Sequence, residues 1–285
     1  MHGVSRVIIS ALEHMSEINR HLTNNMSLRN SVEIDEFWSF IKKKERCSEA
    51  EKLENSERQG DRWTFVGVIP ESSFIHTVHS GQRTQEEVQK FVDKIKEKSN
   101  GKAPFFESDG WFYQEVLTES YSTEEPIAYK GRGRKPNPVR VVDAQLKYAQ
   151  VVKDRKNGKI IKISTRIVLG NELEILDKSE RSNTISTAFV ESRNGAFRKD
   201  DKRLCRKTKC HSKQLLPHDT HIEFIAHIYN YTKENEAFRE LIKPNAKRFE
   251  VKYKKVSPAM KETLTKRIFS LQEMLLMKPL MFNLT

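Results

Sequence analysis

Three carboxylates of this chain stand in settings that suit metal-dependent chemistry. Asp35 lies in an apolar, strand-like run, Asp109 follows a second such run, and Glu191 begins a basic helical segment. Mg²⁺ is a hard cation that prefers oxygen ligands, so carboxylates from separate elements can share it. Two such ions activate an attacking oxygen and stabilise a leaving one. The pattern predicts a site that cuts and rejoins phosphodiester bonds, with these three residues as catalytic residues and metal ligands.

Each of the three carboxylates has a competing assignment. Because side chains alternate along a strand, Glu33 should lie on the same face of the sheet as Asp35, and Glu36 on the opposite face. Asp35 itself could be an ordinary surface carboxylate. Asp109 could cap the helix that follows it, a role that does not exclude metal binding. Glu191 has rivals in a segment that the pattern assigns to an insertion or linker: Glu172, Glu174 and Glu180.

The positive charge of the chain is concentrated in one block. The net charge is +12, and residues 126–215 carry 23 Lys and Arg against 9 Asp and Glu. The rest of the chain carries 28 against 30. Clustered positive charge is typical of proteins that bind polyanions. A solvated surface is the alternative, but the acidic site residues beside this block favour double-stranded DNA as the partner.

Composition argues against several other classes of protein. No apolar run approaches the roughly 18 residues of a membrane span, and the N-terminus has no signal-like apolar segment, so no membrane partner is predicted. The 3 cysteines are too few and too scattered for a disulfide framework, which fits a reducing cytosol. No Cys-x-x-Cys pair occurs, so the sequence gives little support to a zinc site built from Cys205, Cys210 and His211.

Apolar spacing and turn residues predict the elements that would position the site. The predicted strands of the core cover residues 31–42, 62–69, 74–80, 103–108 and 126–130. One helix begins at a capping box over 84–87, and another covers 111–120. Three strands, a helix, a strand, a helix and a strand match the order of an RNase H-like core. The predicted fold class is therefore α/β, with a mixed five-stranded sheet and flanking helices.

Residues 131–183 are predicted to stand outside that core as a small β insertion between the second and third carboxylates. Two alternating segments flank Asn157-Gly158, a dipeptide typical of tight hairpins. Further helices are predicted over 185–210 and 219–233. Five domains are predicted. They are a helix and linker (1–30), the first part of the core (31–130), the basic β insertion (131–183), the second part of the core (184–240) and a C-terminal tail (241–285).

Seven motifs follow one another along most of residues 3–276. They are Ile34-Asp35-Glu36-Phe37-Trp38-Ser39-Phe40, Asp61-Arg62-Trp63-Thr64-Phe65, Gly81-Gln82-Arg83-Thr84, Ser108-Asp109-Gly110-Trp111, Phe189-Val190-Glu191 with Asn194 and Arg198, Leu204-Cys205-Arg206-Lys207-Thr208, and Ser257-Pro258-Ala259-Met260. In this order they resemble DDE transposases of the insertion-sequence-one type. Asp109 and Glu191 are 82 positions apart, wider than in compact members, and the predicted insertion accounts for the difference. Gly195 and Ala196 depart from the larger residues expected there.

The resemblance implies an enzyme that cuts DNA at the ends of a mobile element and joins the 3′ ends to a target. It implies Mg²⁺ or Mn²⁺ held by Asp35, Asp109 and Glu191, and a homodimer or higher assembly on DNA. It also implies the nucleoid of a bacterial or archaeal cytoplasm. Family members carry a zinc-binding segment and a complete helix-turn-helix before the catalytic domain. This sequence is therefore expected to be an N-terminally truncated copy.

The helix predicted over 3–24 is the expected remnant of that DNA-binding region. It starts with Gly3-Val4-Ser5-Arg6, which resembles the start of the second helix of a helix-turn-helix. An ordinary amphipathic helix is the alternative.

Candidate DNA contacts lie on the predicted helix around Glu191 and in the basic loop over 131–136. Arg198 and Lys202 follow Asn194 at about one and two helical turns, so they can line up beside Glu191. A solvated helix surface and an ordinary loop are the alternatives. The candidates are Arg193, Asn194, Arg198, Lys202, Arg206, Lys207, Arg132 and Arg134. The sequence thus predicts a DNA transposase, with a metal-dependent DNA nuclease or an inactive DNA-binding remnant of a decayed element as alternatives.

Overall fold

The computed structural model describes residues 3–23, 26, 31–44, 60–110, 113–129, 131, 134–171 and 185–278. The strands are β1 Ser31–Ile41, β2 Gly60–Ile69, β3 Phe74–Gly81, β4 Phe105–Asp109, β5 Ser122–Glu125, β6 Val139–Val142, β7 Lys147–Lys156, β8 Lys159–Leu169, β9 Glu240–Leu241 and β10 Tyr253–Lys254. The helices are α1 Gly3–Thr23, α2 Gln85–Lys98, α3 Tyr113–Ser120, α4 Ala188–Asp200, α5 Leu215–Tyr231, α6 Pro258–Lys261 and α7 Leu271–Leu276.

A mixed sheet forms the centre of the described structure, with its six strands in the order β3-β2-β1-β4-β7-β8. β1, β2 and β3 are antiparallel neighbours. β4 pairs in parallel with both β1 and β7, and β8 returns antiparallel to β7. Helices pack on both faces of this sheet. The fold is therefore of the α/β class, with a mixed sheet and flanking helices as predicted.

Strand β1 is apolar on both faces because it lies in the middle of the sheet. Val32 and Ile34 join the apolar cluster that α2 and α3 cover. Phe37 faces the other way, and its ring centroid lies 5.4 Å from that of Phe197 in α4. Successive strand residues point to opposite faces. Glu33 and Asp35 therefore share the face of Phe37, under α4.

Helix α2 forms where the capping signal predicted it. The Thr84 side chain accepts the backbone N–H of Glu87, which satisfies one of the free donors of the first turn. The buried residues follow one stripe of the helix: Val88, Phe91, Val92 and Ile95. The chain leaves the helix through Asn100 and Gly101, both with positive φ. This helix is confirmed in position and in the face that it buries.

Helix α4 is shorter than the segment predicted over 185–210. It ends at Asp200, and a separate 3₁₀ turn covers Lys202–Leu204. Asp201 breaks the helix because its backbone is extended and its carboxylate accepts the N–H of Arg203 to start the next turn. The same carboxylate pairs with His221 of α5 at 2.5 Å. The break therefore serves a contact between elements that local helix propensity cannot anticipate.

Helix α1 confirms the prediction of a helix over 3–24, and it packs on α5. Met15 and Ile18 are fully buried in a cluster that includes Tyr231. The Tyr231 hydroxyl donates to the side chain of Asn19 at 2.7 Å. The amphipathic pattern of α1 is thus used for packing. A DNA-recognition role for this helix stays a prediction.

The predicted β hairpin exists, but it lies in the main sheet and not outside it. β7 and β8 flank Asn157 and Gly158, which both have positive φ as a tight turn requires. β7 pairs with β4 over Lys147–Val151 and takes the fifth position, which the sequence had given to residues 126–130. No strand forms over 126–129, so that prediction was wrong. The sheet has six strands because β4 pairs with a second partner 42 positions further along the chain, a pairing that short-range pattern cannot specify.

Candidate metal centre

Asp35 and Asp109 come together because their strands are parallel neighbours. β1 and β4 pair up to Ile34 opposite Ser108, and the two aspartates are the next residues on each strand. One carboxylate oxygen from each lies within 4.8 Å of the other, and a Glu36 oxygen lies within the same distance of both. Among the described residues this is the one group of His, Cys, Asp or Glu close enough to hold a metal ion. Oxygen ligands of this kind suit Mg²⁺.

Glu36 reaches this group from the opposite face of the sheet. The Arg83 guanidinium donates to Glu36 Oε1 at 2.6 Å, and the Tyr113 hydroxyl donates to Oε2 at 2.9 Å. Only 4% of the Glu36 side chain is exposed. β4 ends at Asp109. Beyond that residue the strand no longer stands between the Glu36 carboxylate and the face that carries Asp35. Strand alternation alone had excluded Glu36 from the site.

Burial and mutual repulsion make Asp35 and Glu36 hard to ionise. Burial first, and then the charges of Asp109 and Glu36, raise the pKa of Asp35 to about 7. Burial, followed by the charge of Asp109, also raises the pKa of Glu36, against the pull of Arg83 and Tyr113. A bound cation would remove both penalties, since it compensates for lost solvation and for repulsion. The donor set therefore fits a divalent metal.

Glu191 borders this group without joining it. Asn194, one helical turn further along α4, donates its side-chain amide to Asp35 Oδ2 at 2.8 Å. Glu191 forms an ion pair with Lys153 of β7 and accepts the Thr187 hydroxyl at 2.8 Å. Its side chain is 47% exposed, and its charge contributes to the raised pKa of Asp35. The structure thus brings Asp35 and Asp109 together and leaves Glu191 beside them, on Lys153.

Two further carboxylates, which the sequence interpretation did not include in the site, lie behind the aspartates. Glu33 and Glu107 are opposite one another on β1 and β4, each two residues before an aspartate of the group. Their side chains point the same way as Asp35 and Asp109, toward α4. We call these four residues the carboxylate row: Glu33, Asp35, Glu107 and Asp109. The repeated Glu-x-Asp spacing at 33–35 and 107–109 was the sequence signal that could have revealed the pair.

Glu33 and Glu107 hold the N-terminus of α4 onto the sheet. Glu33 accepts the backbone N–H of Val190 at 2.8 Å, and Glu107 accepts that of Ser186 at 2.8 Å. Thr187, at the N-cap position, makes no side-chain capping bond. Burial is the main cause that raises the pKa of Glu33 to about 8 and that of Glu107 to about 7. The sheet therefore supplies the acceptors that a helix start needs, and these bonds fix the part of α4 that carries Glu191.

The predicted DNA contacts divide into packed and exposed side chains. Asn194 is buried, and its amide is engaged by Asp35. Arg193 lies over the ring of Tyr229 and Arg198 over that of Phe37, with 5.5 Å and 5.6 Å from guanidinium carbon to ring centroid. Four candidates are exposed: Arg134, Lys202, Arg206 and Lys207. Arg132 lies outside the described residues.

Other candidate ligands do not add to the site. Cys205 directs its thiol to the backbone oxygen of Arg198 at 3.0 Å, and Cys210 is exposed. Five residues lie outside the described part of the chain: Cys47, Trp111 and the three rivals of Glu191, which are Glu172, Glu174 and Glu180.

Comparison with protein-family models, curated proteins and solved structures finds no match. None of the described helices is both long and apolar enough to span a bilayer.

Proposed function

We propose that this chain is a DNA transposase, a metal-dependent enzyme that cuts and joins phosphodiester bonds. One observation carries the proposal: Asp35 in the middle of β1 and Asp109 at the end of the neighbouring parallel strand meet within 4.8 Å. Glu191 stands beside them on a helix that is bonded to the same two strands. The three carboxylates thus come from the elements that the sequence motifs predicted.

The strand order supports an RNase H-like core as the finer description of the fold. Three antiparallel strands, β1 to β3, precede β4 and β7, which run parallel to β1. In that arrangement the two aspartates lie on adjacent central strands and α4 crosses above them. The sixth strand, β8, extends the sheet beyond the core that the resemblance implies.

The carboxylates have separable roles in this proposal. Asp35 and Asp109 would hold Mg²⁺ or Mn²⁺, which supplies the Lewis acidity that activates the attacking oxygen and stabilises the leaving one. Asn194 orients Asp35 through the bond to Oδ2. Glu36 is held in place under the pair, because Arg83 and Tyr113 bond both of its oxygens. Glu191 is the third ligand, since its exposed ion pair with Lys153 can be exchanged for a metal at small cost.

DNA binding follows from the charge around this centre. The exposed basic residues Lys202, Arg206 and Lys207 come shortly after α4 in the +14 block of residues 126–215. Phosphate contacts of this type position DNA without reading its sequence. Joining two element ends to one target requires both ends at once, so a homodimer or higher assembly on nucleoid DNA in the cytoplasm belongs to the same proposal.

The decisive experiment measures DNA cleavage and strand joining by the purified chain with Mg²⁺. Substrates are duplexes that carry the sequences flanking its coding region, together with a supercoiled target plasmid. Asp109→Asn should reduce cleavage to background while DNA binding survives. Asp93→Asn, on the exposed side of α2, is the matched control and should cut normally. Normal cleavage by Asp109→Asn would falsify the assignment.

The products separate the proposal from its two rivals. Cleavage without any joined product would identify a nuclease, and binding without cleavage in wild type would identify an inactive remnant. Glu191→Gln and Glu36→Gln then test the third ligand. Glu191→Gln should lose cleavage as completely as Asp109→Asn, whereas Glu36→Gln should keep measurable activity because Arg83 and Tyr113 already bond both Glu36 oxygens. The reverse order would make Glu36 the third ligand.

A further inference from the structure

The hairpin of β7 and β8 ends in a projecting segment that the proposed chemistry does not use. We call residues 153–166 the basic ribbon. It contains six cations and one acid, Asp154, and the cations are Lys153, Arg155, Lys156, Lys159, Lys162 and Arg166. From Asp154 to Ile163 every residue is exposed. Neither face of this part of the ribbon is covered within the described chain, which leaves both faces accessible to a partner.

The arrangement of charge on the ribbon indicates a polyanion. Lys156 and Lys159 are direct cross-strand partners at the tip. Like charges in that position destabilise a hairpin, and nearby negative charge from a partner would relieve the repulsion. The described residues form no ion pair with Lys156 or Lys159, whereas Lys162 lies opposite Asp154 across the strands. The structure therefore bears an electrostatic cost at the tip that a row of phosphates would remove.

The shape of the ribbon fits DNA. Two strands side by side are the one β structure that the major groove, about 12 Å wide and about 8.5 Å deep, admits. The exposed part of β7, Asp154–Lys156, together with the turn extends roughly 13 Å at the usual rise per residue. Three exposed isoleucines can meet thymine methyl groups in that groove: Ile160, Ile161 and Ile163. A register shift between Asp154 and Arg155 marks a bulge, which increases strand twist.

The base of the ribbon is tied to the candidate metal centre. Lys153, its first residue, forms the ion pair with Glu191. DNA held by the ribbon would therefore lie next to the carboxylates. β8 is the last strand of the described sheet, and an edge strand could also pair with a second copy. Lysines on an edge strand oppose such pairing, and Lys159 and Lys162 occupy β8.

We propose that the basic ribbon enters the major groove of DNA and holds the duplex against the candidate metal centre. This inference rests on the proposed function and assigns the groove and the element that grips it. The other basic residues near α4 then contact phosphates on the same duplex.

The test compares two triple variants of the full chain with equal loss of charge. One carries Lys156→Gln, Lys159→Gln and Lys162→Gln in the ribbon. The control carries Lys247→Gln, Lys252→Gln and Lys266→Gln, all exposed and outside the ribbon. Binding to a mixed-sequence duplex is titrated in EDTA at several salt concentrations. The slope of log affinity against log salt should become shallower by about 2.7 for the ribbon variant, since each lost phosphate contact removes about 0.9. The control should keep the wild-type slope.

A second duplex identifies the groove. Glucosylated 5-hydroxymethylcytosine fills the major groove, so it should weaken wild-type binding and leave the ribbon variant unchanged. Equal slopes for both triple variants, or full wild-type affinity for the glucosylated duplex, would overturn the inference. Loss of a dimer in the ribbon variant with unchanged DNA affinity would overturn it in favour of a second copy. These outcomes leave the proposed function intact. The proposed function itself fails if the wild-type chain neither binds nor cuts DNA.

Discussion

The carboxylate row and the basic ribbon lie on the same sheet and handle charge in opposite ways. In the row, Glu33 and Glu107 are 1% and 3% exposed, and each accepts a backbone N–H. In the ribbon, Lys156 and Lys159 point into solvent beside one another. Buried charge is costly unless it is bonded, whereas exposed charge costs little. The acidic groups are enclosed and bonded within the fold, and the basic groups are presented to a partner.

This difference predicts which substitutions should affect the stability of the fold and which should affect DNA binding. Substitutions in the row change both the fold around α4 and the candidate metal centre. Substitutions in the ribbon should change DNA binding and leave the stability of the fold almost unchanged. The following expectations test that contrast, in order of decreasing effect.

Mg²⁺ should stabilise the folded chain through Asp35 and Asp109. A ligand present at a hundredfold excess over its Kd adds about 2.7 kcal/mol to the free energy of unfolding. Because the pKa of Asp35 is raised to about 7, protons compete with the metal, and the stabilisation should be larger at about pH 8 than at about pH 6. Thermal melts with Mg²⁺ and with EDTA measure this. Asp109→Asn should abolish the difference, and the ribbon triple variant should retain it.

Glu33→Ala should destabilise the fold by about 2 kcal/mol at pH 6, because it leaves the N–H of Val190 buried without its acceptor. Glu33→Gln keeps an acceptor oxygen and should cost less than half as much. Urea unfolding followed by circular dichroism gives both values. If the two variants lose the same stability, the bond to α4 is not what Glu33 contributes.

The row should also make the chain less stable as pH rises. A carboxyl group with a raised folded-state pKa contributes stability below its unfolded pKa of 4.5, and that contribution is lost as pH rises toward about 8 for Glu33. His218 acts in the opposite sense. Burial lowers its pKa to about 4, so stability is lost as pH falls from 6.5. The carboxylate effect should therefore outweigh that of His218 between pH 6.5 and 8.

In that window, and in EDTA, each such group changes the free energy of unfolding by up to about 1.4 kcal/mol per pH unit. Glu33→Gln should reduce the slope of stability against pH, measured by urea unfolding across the window. An unchanged slope would show that Glu33 ionises in the fold as it does in the unfolded chain.

Lys159→Gln should produce the smallest change and the clearest contrast. Removing one of two facing lysines should raise the free energy of unfolding by about 0.3 kcal/mol, while affinity for duplex DNA falls. Differential scanning calorimetry and a binding titration on the same sample give the two numbers. A loss of stability together with affinity would mean that Lys159 supports the hairpin and not a partner.

Sequence alone could predict the features that local pattern determines. The stripe of α2 and the hairpin at Asn157-Gly158 depend on residues within one or two turns of each other. The position of β7 depends on pairing with β4, about 40 residues earlier. Glu36 was excluded because strand alternation places it on the other face, yet its carboxylate lies within 4.8 Å of those of Asp35 and Asp109, where β4 ends.

The way α4 is held has a consequence for the order of folding. The N–H of Val190 in its first turn is satisfied by Glu33, 157 positions earlier in the chain, and Ser186 just before the helix is held by Glu107, 79 positions earlier. Thr187 at the N-cap position of α4 makes no capping bond, Ser186 accepts only the N–H of Ala188, and the helix contains Gly195, so it is a weak helix by itself. We expect α4 to form only after β1 and β4 have paired, because loop-closure entropy delays such distant contacts. Pulsed hydrogen exchange during refolding should therefore protect the amides of β1 before those of Val190 and its helix, so that the candidate metal centre is completed late.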